Sequence, residues 1–447
     1  MRKRLSAPLI SAILFAALVA SPAAAHHDDG KGDVTPPTAE VLAEEFENVV
    51  ASNAHEDSNA PRGFAPCIRG EAAKTFACDR VDMLSHLTLG DLGLTFGNDI
   101  WGWTDPQTRK DYALMGGGEG TVIVDISDPK RPDVVGILPT HSTGAFFWRD
   151  IKVFDDHMFV VSEDPGHGMQ VFDLTQVRGV TGDPVTFSET ALYGGFGNAH
   201  NLAINEDTGF AYAVGTSTCA GGLHMVDISD PTNPTSAGCF DDHAYIHDTQ
   251  CVIYEGVDVE HQGREICFNS AADGFTIGSI FNTVSIVDVT DKSNPISLSR
   301  LDYPDDGYSH QAWLTPDQSY LFHNDELDEF LHGMNTTTRI FDVRDLDNPT
   351  LVADVEHDTT SIGHNAYTEG RYLFASNYTS GLRVFDTTSA GSGELPEVAY
   401  FDLYPENDNA NFEGGTWSNY PYFHQEKVVA VSSMERGLFI LRPRIGS

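Results

Sequence analysis

Four histidines recur along the chain, each followed by a polar residue: His200-Asn201, His247-Asp248, His310-Gln311 and His364-Asn365. Imidazole is the commonest side-chain ligand of divalent transition metals and titrates near neutrality. Gathered with carboxylates, such residues would hold zinc, manganese, copper or calcium. The expected metal set is His200, His247, His310, His364, Asp150, Asp248, Asp325 and Glu326. Asn98, Asp99, Asn201, Gln311 and Asn365 take matching positions, Glu163 starts a turn returning to the same place, and these six are expected to contact a ligand. Two other readings stay open. The histidines could only bond neighbouring backbone and hold a repeated scaffold together, or they could touch a ligand without a metal.

If chemistry occurs there, Arg149, His247, His310 and Tyr378 are the catalytic candidates. In a polysaccharide lyase, Arg149 would neutralise a uronate carboxylate while His247, His310 or Tyr378 removes the adjacent proton. A copper oxidase is the other enzymatic version and rests on fold-level analogy. An interaction platform docking a second exported protein is the non-enzymatic alternative. Serine-hydrolase and zincin motifs, G-x-S-x-G and H-E-x-x-H, do not occur.

The elements that would position these residues are short repeated strands. Val122-Ile123-Val124-Asp125, Gln170-Val171-Phe172-Asp173, His224-Met225-Val226-Asp227, Ser285-Ile286-Val287-Asp288, Arg339-Ile340-Phe341-Asp342 and Arg383-Val384-Phe385-Asp386 follow one another. A degenerate copy, Phe439-Ile440-Leu441-Arg442, closes the series. Each is β-branched and aromatic, is bounded by turn formers, and recurs at roughly 45–60 residues, the spacing of repeat architectures. Two strands precede each copy and one follows, which predicts an all-β, seven-bladed β-propeller with four-stranded blades. First strands line the channel of a propeller, so the histidines should converge at one mouth.

Further expectations follow from that frame. The seventh unit lacks room for an outer strand after Leu441, so an N-terminal strand near residues 80–89 should complete the last blade. The seventh blade's register position is read at Gly414-Gly415. The aspartates ending the repeated strands should accept backbone hydrogen bonds in the next turn. Trp101, Trp313 and Trp417 are expected to pack between blades, and the run from Gly116 to Gly120 to be a flexible turn rather than a phosphate loop.

Cys78-Asp79-Arg80-Val81-Asp82-Met83-Leu84-Ser85-His86, His310-Gln311-Ala312-Trp313-Leu314-Thr315, Asn377-Tyr378-Thr379-Ser380-Gly381-Leu382-Arg383 and Glu435-Arg436-Gly437-Leu438-Phe439 carry a family resemblance. From about residue 66 onward the chain resembles the choice-of-anchor B family, secreted bacterial proteins built from LVIVD-type repeats. The resemblance implies an extracellular propeller. The family's variable anchoring tail has no counterpart before Ser447, so release rather than surface retention is expected.

Address and partners follow from the ends and the charge. Met1-Arg2-Lys3-Arg4, an apolar run over residues 9–20 and Ala23-Ala24-Ala25 read as a secretory signal cut near Ala25. Residues 26–65 form an acidic leader with a short helix around 39–50; the propeller spans 66–447. His26-His27-Asp28-Asp29 is expected to be a solvated terminal cluster. In an oxidising compartment the six cysteines are expected to pair as Cys67–Cys78, Cys219–Cys239 and Cys251–Cys267, and the absence of C-x-x-C spacing disfavours a zinc site. A net charge of −40 excludes nucleic acid and anionic membrane surfaces as natural partners. Small-molecule, polysaccharide and protein partners remain, with a monomer expected and no membrane insertion after signal removal.

Overall fold

Each repeated strand becomes the third strand of its sheet, antiparallel to its neighbours on both sides, in the computed structural model, which describes residues 60–143, 148–243, 245–272 and 282–446. The expected signal segment, the cleavage point and the leader through residue 59 lie outside the described residues. Thr283–Asp288 illustrates the pattern: all six residues are buried, and the strand pairs with Glu265–Ala271 on one side and Ile296–Leu301 on the other. Strands buried on both faces read as continuous apolar runs, and the repeat is so apolar because neighbouring blades cover it from two sides.

Seven such sheets form a β-propeller ring within the unit Pro36–Ser447. Their first strands are Gly97–Thr104, Arg149–Phe154, Asn201–Asn205, Ile246–Ile253, Ser309–Leu314, Ala366–Glu369 and Thr416–Phe423, in blades 1 to 7. Each touches the first strands of both neighbouring blades, and the seventh touches the first, so they enclose the channel. The core lies between blades. Phe268 and Ile286 of blade 4, for instance, pack with Leu314, Leu321 and Phe341 of blade 5. Truncating one such buried Phe to Ala typically costs about 3–5 kcal/mol.

The ring closes as expected. Val81–Leu87 pairs antiparallel with Gly437–Pro443 and supplies the outer strand of blade 7. The segment before it does more than was expected. Phe76–Asp79 adds to the outer strand Glu397–Phe401 of blade 6, and Glu71–Ala72 adds beyond that. The Cys67–Cys78 disulfide ties this extension, and Cys219–Cys239 and Cys251–Cys267 also form.

The strand-end aspartates hold turns. Asp125, Asp173, Asp227, Asp288, Asp342 and Asp386 each accept a hydrogen bond from the backbone N–H two residues on. The glycine run makes a turn at Gly118-Glu119, and a tight one. Gly117 and Gly120 are paired in a hairpin, and a Cβ at Gly120 (φ +148°) would meet the Leu138 carbonyl oxygen at 2.2 Å. Among the described residues no helix is long and apolar enough to cross a membrane.

Candidate functional site in the central channel

Irregularities at the start of the first strands aim side chains into the channel. In blade 4 the pairing skips from Ile246 to Asp248, and in blade 5 from Ser309 to Gln311, leaving His247 and His310 as the extra, unpaired residues. Blade 7 skips Trp417 in the same way. A bulged residue escapes the strict alternation of a strand, so its side chain can be turned where pairing would not allow. The equivalent of His247 and His310 in blade 7 is therefore Trp417 rather than the Gly414-Gly415 pair expected. Expected to pack between blades, Trp417 does pack with Tyr378 of blade 6 and also forms a cavity wall.

These residues meet in a cavity of about 70 Å³. Four imidazoles from blades 3 to 6 form an arc, with ring centroids 4.3 Å (His200–His247), 4.2 Å (His247–His310) and 4.3 Å (His310–His364) apart. Glu163 and Glu326 face them, and Trp148, Tyr245, Tyr308 and Trp417 complete the wall. Of these four aromatics the sequence reading had placed none here. A usable signal existed: Tyr245 and Tyr308 each stand two residues before a register histidine.

Hydrogen bonds set the imidazole tautomers. Nδ1 of His247 donates to the His310 carbonyl (2.7 Å), and Nδ1 of His364 donates to the Trp417 carbonyl (2.5 Å). Each bond leaves Nε2 with its lone pair, the arrangement that backbone carbonyls impose on metal-ligating histidines. His310 Nδ1 is buried without a hydrogen-bond partner. Nε2 of His310 and of His364 lie 3.7 and 3.6 Å from the two oxygens of Glu326. Those separations are too long for hydrogen bonds but close to the about 3.4 Å between two donors on one tetrahedral ion with bonds near 2.1 Å. Ligand atoms of His247, His310 and Glu326 all lie within 4.8 Å of one another.

Charge divides the arc. Burial disfavours the charged form of His200, but a 2.6 Å hydrogen bond to Glu163 and the charges of Glu163 and Glu326 outweigh it and raise the imidazole above its ordinary value. His247 and His310 are pushed well below that value, first by burial and then by neighbouring imidazoles. Burial takes His364 down to about 3. Three imidazoles are thus neutral donors, while His200 forms an ion pair with Glu163. Burial raises Glu326 to about 7, against the hydrogen bond from Tyr378 and the charge of His200. Tyr378 is fully buried and donates to Glu326 Oε1 at 2.7 Å, so it backs that carboxylate rather than facing the cavity.

The other expected ligands are committed elsewhere. Asp325 accepts from the Tyr303 hydroxyl and from the N–H groups of Gly307, Tyr308, Leu327 and Asp328, which fills both oxygens. Asp150 accepts from the N–H groups of Ile151 and Leu202 and from the Lys152 ammonium. Arg149 is 2% exposed, with Nε on the Gly117 carbonyl and Nη1 on His167, so it does not present its guanidinium to the cavity. Asn98, Asp99, Asn201, Gln311 and Asn365, expected to contact a ligand, instead bond from one blade to the next. Their partners are the N–H of Arg149, the N–H of Ile151, the His247 carbonyl, the N–H of Ala366 and the Trp417 carbonyl. Position alone could not separate these from the histidines, because strand neighbours share a register while pointing to different places.

Further along the same strands the channel widens into a second cavity of about 380 Å³. All seven blades contribute, and Asp248 belongs here rather than with the histidines. Trp101 and Trp313, expected to pack between blades, form its walls with Tyr367, Tyr420 and Tyr422.

The family model described as the LVIVD repeat matches residues 109–140 and 196–242, which contain the third strands of blades 1 and 3. No curated protein matches the chain. Among solved structures it is similar to the β-propeller domain of Cps50 (Swd1) from Myceliophteria thermophila, with 12% identity and a TM-score of 0.49. That similarity covers 78% of this chain and 98% of the other.

Proposed function

We propose that this propeller with LVIVD repeats is an exported protein of the choice-of-anchor B type whose histidine cavity holds one divalent transition-metal ion. The observation that carries the metal reading is the convergence of His247, His310 and Glu326, whose ligand atoms lie within 4.8 Å of one another. His364 flanks them with its Nε2 3.6 Å from Glu326. Two or three neutral imidazoles with one carboxylate suit zinc, copper or manganese. Calcium, which takes oxygen ligands, drops out. Bound there, the ion would supply Lewis-acid or redox chemistry to a small ligand.

The chain's own residues would do the rest. The carbonyls of His310 and Trp417 orient two imidazoles, Tyr378 orients Glu326, and Trp148, Tyr245, Tyr308 and Trp417 limit access to water. Arg149 is turned away, so the lyase reading loses the cation that would neutralise a uronate carboxylate at this site. Export is supported by three disulfides, which persist in oxidising compartments. Elemental analysis after mild loading with zinc, copper or manganese should find about one equivalent of metal per chain, and less than about 0.2 equivalents of each would refute the reading.

A further inference from the structure

We propose that the wide compartment of the channel is a recognition site for a small organic cation, with its ammonium group held between aromatic faces and carboxylates. This proposal is independent of the metal reading, because it concerns different side chains further along the first strands.

The walls come first. Trp101, Trp313, Tyr367, Tyr420 and Tyr422 form a connected aromatic surface. Ring centroids are 5.8 Å apart for Trp101–Tyr367, 5.2 Å for Trp101–Tyr420, 4.9 Å for Trp313–Tyr367 and 5.1 Å for Tyr420–Tyr422. These rings approach edge to face, which leaves electron-rich faces available to other groups. A volume of about 380 Å³ falls in the range of small-ligand sites.

The protein already places one ammonium in this setting. Lys152 Nζ sits 4.5 Å from the Trp101 ring centroid, a cation–π contact, with Asp150 at 2.5 Å and Asp99 at 3.9 Å. That one ammonium does not balance its surroundings. Asp99, Asp150 and Asp248 cluster around it, and Glu206 and Asp207 also line the cavity. Burial raises Asp99, Glu206 and Asp248, the last to about 7, so the negative excess grows as pH rises through 7, in a chain whose net charge is −40. An anionic ligand would be repelled, and a neutral ring would gain stacking without using the carboxylates. An alkylammonium group uses both the aromatic faces and the charge.

Trp101 and Trp313 make the site readable by intrinsic fluorescence. The full chain would be titrated with choline, with its uncharged isostere 3,3-dimethylbutan-1-ol, and with glucose, at about pH 8, above the Asp248 value, and at about 0.1 M salt so that long-range attraction is screened. Choline should bind at least about tenfold more tightly than the isostere, with no saturable response to glucose. Trp313→Leu should weaken choline at least about tenfold. Asp248→Asn, nearly isosteric, should bring choline and the isostere to within about threefold of each other and keeps the test valid if Trp313→Leu fails to fold. Equal affinity of choline and the isostere for the wild-type chain would overturn the proposal, as would saturation by glucose or no choline response below about 10 mM.

Discussion

The two compartments of the channel are built from the same seven strands, only a few residues apart, yet their chemistry is opposed. The narrow one collects nitrogen lone pairs around a carboxylate in about 70 Å³; the wide one collects aromatic faces and an excess of carboxylates in about 380 Å³. Between them lies a polar layer that bonds from blade to blade. Asn201 to the His247 carbonyl and Gln311 from the Ala366 N–H are examples. The repeated backbone fixes where side chains can stand, and individual blades then choose what stands there. Four blades place histidine at the narrow end, while blade 7 places Trp417.

The sharpest way to break this contrast is to remove one donor. His310→Ala should lower metal affinity at least about a hundredfold, because it deletes one of three converging ligands. Choline binding, read by tryptophan fluorescence, should change by less than about twofold. Loss of both together would show that the two compartments are one site.

pH should separate them next, in metal-free protein. His364 has a folded value of about 3 against an ordinary 6.5, so the unfolded chain binds more protons between those values. Its contribution is present above pH 6.5 and is lost as pH falls toward 3. In urea denaturation series, His364→Gln should flatten the acid limb by about 2–4 kcal/mol. Asp248 has the opposite sign. Burial, then the charge of Asp150, raises it to about 7, so its contribution is present below its unfolded value near 3.8 and is lost as pH rises through 7. Asp248→Asn should therefore gain about 1–3 kcal/mol relative to wild type between pH 4 and pH 8. A shift of the same sign in both variants would contradict the assigned environments.

The smallest effect belongs to the layer between. Asn201→Ala removes one hydrogen bond to the His247 carbonyl and should cost about 1 kcal/mol in thermal or urea unfolding. Affinity for metal and for choline should each move less than about twofold.

Architecture was legible in the sequence because it is repeated. A strand ending in Asp, such as Ser285-Ile286-Val287-Asp288, announces its period, and the shortage of residues after Leu441 announces the closing strand. The pairing of nearby cysteines was legible for the same local reason. The site was legible only to the level of a register. That His247 and His310 turn into one cavity depends on a single extra residue in each strand, and a one-residue bulge leaves no mark in an apolar pattern. Asp325 shows the other limit. It neighbours Glu326, but its oxygens are filled by donors from a turn beginning at Gly307 and by the Tyr303 hydroxyl, contacts between separate segments. The two strands added to blade 6 were missed because Glu71–Ala72 and Phe76–Asp79 are too short to show alternation.

The closing strand also sets a timetable. His86, in that strand, bonds the carbonyl of Arg436 across 350 residues of sequence. At about 5–20 residues per second, synthesis of that interval takes on the order of 20–70 seconds. Throughout that time Val81–Leu87 has no strand to pair with, while blades 1 to 6 can already stack. Completion of the ring therefore waits for the last stretch of chain to emerge, and the early edge must be kept from pairing elsewhere until then.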